Sequence, residues 1–415
     1  MKFIISLAFK NLTRYKRRTL ITAGAIAVGI MMFIMIDSML AGAEFESVRN
    51  LKWYETASVR IYNDGYWENR HQLPLDINVP DAEGITAKLE DAGYTASPRT
   101  VFSGDMILNA DDFGEDGNIP VTVTAIDPQL DFDIFHFGDT LTAGRFLERG
   151  EEAALLGSWL AEDIGAKVGY WITIITRGNG GFYESMDLEV VGIVNCPNPN
   201  VNRGLVMMPF DTAGDYLAMD GAATEINIKL SDSADVEAAA SDIQKLFNGS
   251  GLTALDWKYM AADYLALAEA KRGGTGIILF LIFIIAAVGI SNTMLMAIFE
   301  RIRELGMMRS LGMSDGKIRA AFVVEAAGIG LIGSFIGVIL GILVNLFVVN
   351  IGFDVGFILR DMDIGYRIQS VMRGVWNVDT IGLAFIAGTV ISTIVAFFPT
   401  GKALKMDIPA CLRHQ

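Results

Sequence analysis

The sequence predicts an α-helical membrane protein with four transmembrane helices and a large α+β domain inserted between the first and the second. Three observations carry that reading. Of 415 residues, 52% are apolar and only 20% charged, with a mean hydropathy of +0.39, a balance foreign to ordinary soluble enzymes. The charge is segregated: residues 44–272 hold 16 basic and 38 acidic residues, a net −22, whereas the rest of the chain holds 17 and 10, a net +7. Finally, that acidic block mixes strand-like and helix-like periodicities, whereas the remainder is built from long uncharged runs.

Those runs are Leu20 to Ile36, 17 residues extendable past Asp37 to Ala43; Gly273 to Phe299, 27; Ala326 to Phe353, 28; and Thr380 to Gly401, 22. At about 1.5 Å per residue and a hydrocarbon layer about 30 Å thick, the last three span outright and the first needs its extension. The predicted layout is a basic leader helix at 1–19, spans at 20–43, 273–299, 320–353 and 380–401, a loop at 354–379 and a tail at 402–415.

Flanking charge orients the spans. Lys2, Lys10, Arg14, Lys16, Arg17 and Arg18 precede the first with no acid among them, and Glu44 and Glu46 follow it. Residues 300–319 and the tail are also base-rich, so these three segments read as cytoplasmic and the acidic block as external. A cleaved signal peptide ending at Ala41-Gly42-Ala43 is the rival reading of the first span; 17 uncharged residues exceed the roughly 7 to 15 of a usual signal core, which favours a retained helix.

Within the external block, strands are predicted at 57–62, 119–126, 170–176, 188–194 and 224–230. Helices are predicted at 81–91, 157–164, 211–217 and 235–247, three of them opening on Asp, a residue suited to the N-cap. Gly178 to Gly181 and Cys196 to Asn202 read as loops. Glu44 to Tyr54 and Met260 to Lys271 have helix-compatible composition without proline and extend the first two spans outward as stalks, with Tyr264, Leu267 and Ala268 on one face.

Motifs for chemistry are scarce. There is no GxxxxGK[ST] phosphate cradle, no HExxH and no Gly-x-Ser-x-Gly. His71, His136 and His414 have no second ligand at metal spacing, and the acidic groups Asp111-Asp112-Glu115-Asp116 and Asp127-Asp131-Asp133 lack the spacing of a calcium loop, so no metal site is expected. Two cysteines, Cys196 and Cys411, offer no disulfide framework. Net acidity argues against nucleic acid as a partner.

The most informative segment is Glu300 to Arg319. Ile302, Leu305 and Met308 or Arg309 share one face of a short amphipathic helix that breaks at Gly312, and Ser314-Asp315 are placed to cap the next helix. Such a helix lies in the headgroups or plugs into a groove on a soluble partner. In the third span, Gly333, Gly337 and Gly341 make a small-xxx-small stripe for close helix approach, within the chain in preference to a dimer seam. In the first, Met31, Met32, Phe33, Met35 and Met39 line a candidate substrate cavity or, more simply, face lipid. Asp37 faces a cavity or polar partner, or snorkels to the interface.

Glu300-Arg-Ile-Arg-Glu-Leu-Gly-Met-Met-Arg-Ser-Leu-Gly312, continuing to Ile318 and to Glu325-Ala326, resembles the E-R-x-R-E-[IL]-G-x-x-[RK]-[AS]-[LI]-G signature of the FtsX-like permeases, which include the lipoprotein-releasing and macrolide-exporter types of ABC transporter. The leader Ala8 to Leu20 and the closing stretch Phe398 to Arg413 are similar to the family's ends. In the external block, 121–128, 144–146, 155–169 and 188–194 follow the order seen in lipoprotein-releasing permeases. The resemblance implies a periplasmic domain of two parts, the second roughly 119–218, in a bacterial inner membrane. It implies a coupling helix, Glu300, Arg301, Arg303, Glu304, Leu305, Gly306, Met308, Arg309, Leu311 and Gly312, docked on a separate cytoplasmic ATPase present in two copies. ATP and magnesium are then bound by that partner, and no cofactor by this chain. A second permease copy or paralogue completes a dimer. The expected function is mechanotransmission that extracts lipoproteins from the outer leaflet, with a periplasmic carrier as a further partner; efflux of macrolides or peptides, or control of a cell-wall hydrolase, are the alternatives.

Overall fold

The computed structural model describes residues 10, 12, 14, 16–109, 119–231, 233–354 and 371–405. The acidic group at 111–116, His414, Cys411 and most of the leader and tail lie outside these residues. The chain begins with α1 (Lys16–Leu51) and a π-helical turn, Lys52–Thr56, followed by β1 (Val59–Asn63), α2 (Tyr66–Asn69), α3 (Ala82–Asp91), β2 (Thr95–Asn109) and β3 (Ile119–Ile126). Next come α4 (Pro128–Ile134), β4 (Leu141–Gly144), β5 (Ala153–Gly157), α5 (Ser158–Ile164), β6 (Trp171–Arg177), β7 (Tyr183–Val194), α6 (Pro199–Gly204) and β8 (Leu205–Pro209). Then follow α7 (Phe210–Leu217), β9 (Glu225–Lys229), α8 (Val236–Leu246), β10 (Leu252–Asp256), α9 (Trp257–Met260), α10 (Ala262–Glu300) and α11 (Ile302–Ser310). The last elements are α12 (Asp315–Asn350), the short pair β11 (Phe353–Asp354) and β12 (Val371–Met372), α13 (Val378–Val395) and α14 (Phe397–Ala403).

These elements form two compact units, one of residues up to 45 with 267–354 and 371–405, the other of 46–266. The second is an α/β domain on a ten-stranded sheet ordered β10-β1-β9-β2-β3-β8-β5-β7-β4, with β6 bridging β2 and β7. Most neighbours are antiparallel, but β3–β8 and β5–β7 are parallel. The 15-residue β2 organises the sheet: its first third pairs with β9, its middle with β3 and its end with β6.

The four expected helices form, and Asp81 and Asp235 cap theirs by accepting from main-chain N–H groups, whereas Asp211 lies inside α7, whose N-cap is Pro209. Asp127 and Asp256 cap α4 and α9, two helices that the sequence reading does not include. The periodicity misses β2, β4, β5, β8 and β10. β5 (Ala-Ala-Leu-Leu-Gly) and β8 (Leu-Val-Met-Met-Pro) are buried at every position, so they carry no alternation to read. The stretch at 196–202 is not all loop: α6 opens on Pro199, whose fixed φ suits a first helical position, and the Asn202 side chain folds back onto the Cys196 N–H and C=O. One apolar cluster gathers residues of 59–96 and 223–252, whereas two others draw mainly on 102–219. β2 contributes to more than one of them, through Ala96 in the first and Phe102 and Met106 in another.

Buried charge in this domain is paired. Arg99 donates from Nε to Asp131 Oδ1 at 2.6 Å and from Nη2 to Oδ2 at 2.9 Å, with its guanidinium 3.3 Å from the Phe135 ring centre. Asp127 caps α4 and pairs with Arg149. Asp127 and Asp131 are thus engaged by local structure, and the Asp133 carbonyl accepts from Lys229 Nζ at 2.6 Å.

Among the described residues, three helical stretches are long and apolar enough to cross a membrane: Thr19–Thr56, Asp315–Asn350 and Val378–Lys402. The run expected as the second span lies in α10, a continuous helix of 39 residues.

Candidate functional site

The elbow between α10 and α12 is built as its sequence dictates. At the C-terminus of α11, Gly312 adopts φ +87°, its N–H bonds to the Arg309 carbonyl at 3.0 Å and the Met313 N–H to that of Met308 at 3.1 Å. This is the left-handed helix stop in which glycine avoids the Cβ penalty. Ser314 occupies the N-cap of α12, but its side chain makes no capping hydrogen bond; its carbonyl receives the Lys317 and Ile318 N–H groups. Arg309 Nε meets Asp315 Oδ1 at 3.1 Å across the turn.

The predicted apolar stripe is present, but it faces the chain itself. Ile302 and Leu305 are buried with Ile298, Ile318, Phe322 and Leu404, and Met308 packs at the margin. Gly306 and Arg301 are buried as well. The expectation that Leu305 and Met308 present an apolar face to a partner therefore needs correction: a short helix between two long ones spends its stripe on them. The outward face is Glu300, Arg303, Met307, Ser310, Leu311 and Gly312, with Met307 51% and Leu311 83% exposed. Glu304 and Arg309 are half-buried at the edge. Met307 lies outside the stripe that the sequence pattern marks; its exposure follows from standing about 200° from Leu305 around the helix.

Gly333, Gly337 and Gly341 lie against α1. A Cβ on Gly333 would sit 2.8 Å from the Ala23 carbonyl oxygen, on Gly337 2.9 Å from the Ala27 Cα, and on Gly341 2.7 Å from the Ile34 Cδ1. Real Cβ atoms do not approach so closely, so glycine sets the separation of these helices, parallel in register.

The six residues singled out in the first span do not line one cavity. Met31, Met35 and Met39 stand four apart on one side with Met32 adjoining, whereas Phe33 and Asp37 stand on the other. Phe33 packs on the apolar cluster containing Ile30, Ile34 and Ala384. Asp37 Oδ2 accepts from Asn377 Nδ2 at 3.2 Å. That contact belongs to a clasp invisible in the sequence. The Val375 N–H bonds to the Ser38 carbonyl at 3.1 Å, the Ser38 hydroxyl donates to the Val375 carbonyl at 2.9 Å, and the Gly374 N–H bonds to the Val348 carbonyl at 3.3 Å. The segment before α13 is thereby tied to α1 and α12.

The α/β domain holds a cleft of about 480 Å³, with Tyr62, Tyr66, Trp67, Arg60 and Glu225 among its walls. Arg60 is committed there to Glu225, Tyr62 and Asn227. Burial raises the Cys196 thiol to about 11, which keeps it protonated. His136 stacks on Trp53 and meets Asp139, and His71 is exposed. Among the described residues, no group of three or more His, Cys, Asp or Glu is placed to hold a metal ion. The arrangement is one of long helices, an elbow with an exposed face and an α/β domain.

Comparison with known proteins agrees with that layout. The MacB-like periplasmic core domain matches residues 19–246, more than half of the chain, and the FtsX-like permease C-terminal domain matches 276–408. The chain belongs to the FtsX-like, MacB-type family of ABC transporter permeases. This permease is similar to the lipoprotein-releasing system transmembrane protein LolC of Neisseria meningitidis, 24% identical over 416 residues, which cover 96% of this chain and 94% of LolC. An uncharacterized ABC transporter permease of Methanocaldococcus jannaschii is 23% identical, with 99% of this chain and 98% of the relative covered. The macrolide export ATP-binding/permease protein MacB of Escherichia coli is 24% identical over 97% of this permease, which spans 59% of that longer relative.

Proposed function

We propose that this permease couples ATP hydrolysis by a separate cytoplasmic ATPase to movement of its periplasmic domain, and that it extracts lipoproteins from the outer leaflet of a bacterial inner membrane. The observation that carries the reading is the end-to-end match with LolC, 94% of which is covered. The MacB relative is named as ATP-binding and permease in one chain, and this permease, which has no GxxxxGK[ST] pattern, spans 59% of it; a partner ATPase fills that role.

In this reading α10 contributes the second of four spans, through its uncharged run Gly273 to Phe299, both ends of the chain are cytoplasmic, and two permease subunits pair with two ATPases. α1 and α10 continue past the apolar runs as helices, and a continuous helix carries displacement without a soft joint. Nucleotide-driven closure of the ATPases has to supply about 5.5 kcal/mol of differential binding to swing a two-state permease from 1:99 to 99:1. Efflux of a macrolide or peptide is the second reading, supported by the match of residues 19–246 to the MacB-like core.

The test is reconstitution of the permease with its ATPase in proteoliposomes holding a triacylated lipoprotein. Release of that lipoprotein to a soluble carrier, dependent on ATP, is the expected result. ATP hydrolysis stimulated by macrolides, with no lipoprotein released, transfers the assignment to efflux.

A further inference from the structure

Arg301 stands at the break between α10 and α11, with φ −113° and ψ 20°. Its side chain points inward, away from the face that any soluble partner would meet. Nε donates to Glu304 Oε2 at 2.8 Å, on α11, and Nη1 to Glu325 Oε2 at 3.0 Å, on α12. The guanidinium carbon lies 5.5 Å from the centre of the Phe322 ring. The side chains of Arg301 and Glu325 are 7% and 4% exposed. Glu325 is also the last charged residue before the uncharged run Ala326 to Phe353.

One planar cation thus joins the end of α10, the elbow helix and the root of the third long helix. Apolar side chains would fill this space at least as stably, because burying two charges costs desolvation that their attraction barely repays. What the ionic arrangement adds is geometric: the fork fixes two acceptors in direction as well as distance, whereas the apolar contacts of Leu305 and Ile302 allow the elbow to slide.

We propose that Arg301 and Glu325 are positioning residues that lock the elbow helix to α12, so that a push on the outward face of α11 moves α12 instead of rolling the elbow over it. The inference rests on the ATPase-coupled reading above and assigns these two signature residues to transmission within the chain, leaving Arg303, Met307 and Leu311 to meet the ATPase.

The experiment uses the permease–ATPase complex with MgATP plus vanadate against nucleotide-free complex, followed by peptide-resolved hydrogen exchange. In the wild type, both 302–310 and 325–337 change exchange on nucleotide trapping. In Glu325→Gln the ATPase co-purifies within twofold of wild type and 302–310 still responds, but the response of 325–337 falls at least fivefold. The reversed pair Arg301→Glu/Glu325→Arg restores it to within twofold. A wild-type response at 325–337 in Glu325→Gln overturns the proposal, as does loss of ATPase co-purification in that variant. If Glu325→Gln does not accumulate, the reversed pair decides: accumulation with the response supports the lock, and accumulation without it refutes it. A wild-type complex that binds no ATPase, or whose elbow ignores nucleotide, instead overturns the coupled reading itself.

Discussion

The α/β domain and the membrane-type helices of this permease are each held together internally, by opposite devices. In the α/β domain, large apolar side chains turn inward: Phe102, Phe135, Phe137 and Met106 are all but fully buried, and a ten-stranded ladder satisfies the backbone. In the helical unit, Phe280, Phe335, Leu343 and Phe398 point outward, and α12 closes on α1 through Gly333 and Gly337 against backbone and Gly341 against the Ile34 side chain. The difference follows from the solvent. Water drives apolar area inward, whereas lipid gives apolar side chains no reason to leave it, so close van der Waals approach and a few hydrogen bonds must do the holding.

That contrast is breakable one side at a time, by peptide-resolved hydrogen exchange on the full-length protein in detergent. Asp131→Ala is expected to have the largest effect, about 3–5 kcal/mol, because it leaves the buried Arg99 without its partner; protection should collapse in β2 and α4 and persist in α12. Gly337→Ala is the converse, expected to cost about 1–3 kcal/mol through overpacking on Ala27, with loss confined to α1 and α12. Asp235→Ala removes a cap whose carboxylate accepts from the Glu237 and Ala238 N–H groups, at about 1 kcal/mol, seen as fraying of α8 alone. Gly29→Ala, where an added Cβ meets nothing within 4 Å, should be neutral or stabilise α1 by up to about 1 kcal/mol; a loss matching Gly337→Ala would show that contact does not distinguish the two glycines.

The smallest effect is local and depends on pH. Burial raises the Glu151 carboxyl, but hydrogen bonds from Arg145 and the Glu148 N–H, together with the Arg145 charge, outweigh it and hold the group below its usual range. A carboxyl lowered by folding contributes stability above its unfolded pKa of about 4.3 and loses it as pH falls through the folded value. Protection of 145–152 should therefore drop in acid, and Glu151→Gln should be weaker at neutral pH and flat across that range.

Much of the architecture was legible before any coordinates. Uncharged runs locate α1, α12 and α13 because long apolar stretches are readable without knowing their neighbours. Acidic caps locate α3 and α8 because a cap is a local bond. Five strands of the α/β domain escape the sequence reading, three of them for a plain physical reason: β5 and β8 are buried on both faces, and β2 owes its length to three different partners, two of them distant in sequence.

The sites divide along the same line. The elbow, its break at Gly312 and the glycine stripe follow from spacing. Which way the elbow faces does not: Leu305 and Met307 are both apolar, and only the packing of Ile318, Phe322 and Leu404 buries the first and leaves the second free. Nor does any pattern pair Asp37 with Asn377, 340 positions away.

By itself the sequence determined the apolar runs, the charge asymmetry and the helix punctuation, since each depends on neighbours within a turn or two of chain. Only the tertiary structure decided which helix the glycines meet, which elbow residues remain free and which carboxylates share Arg301. Those outcomes depend on contacts between distant segments, and no local propensity encodes them.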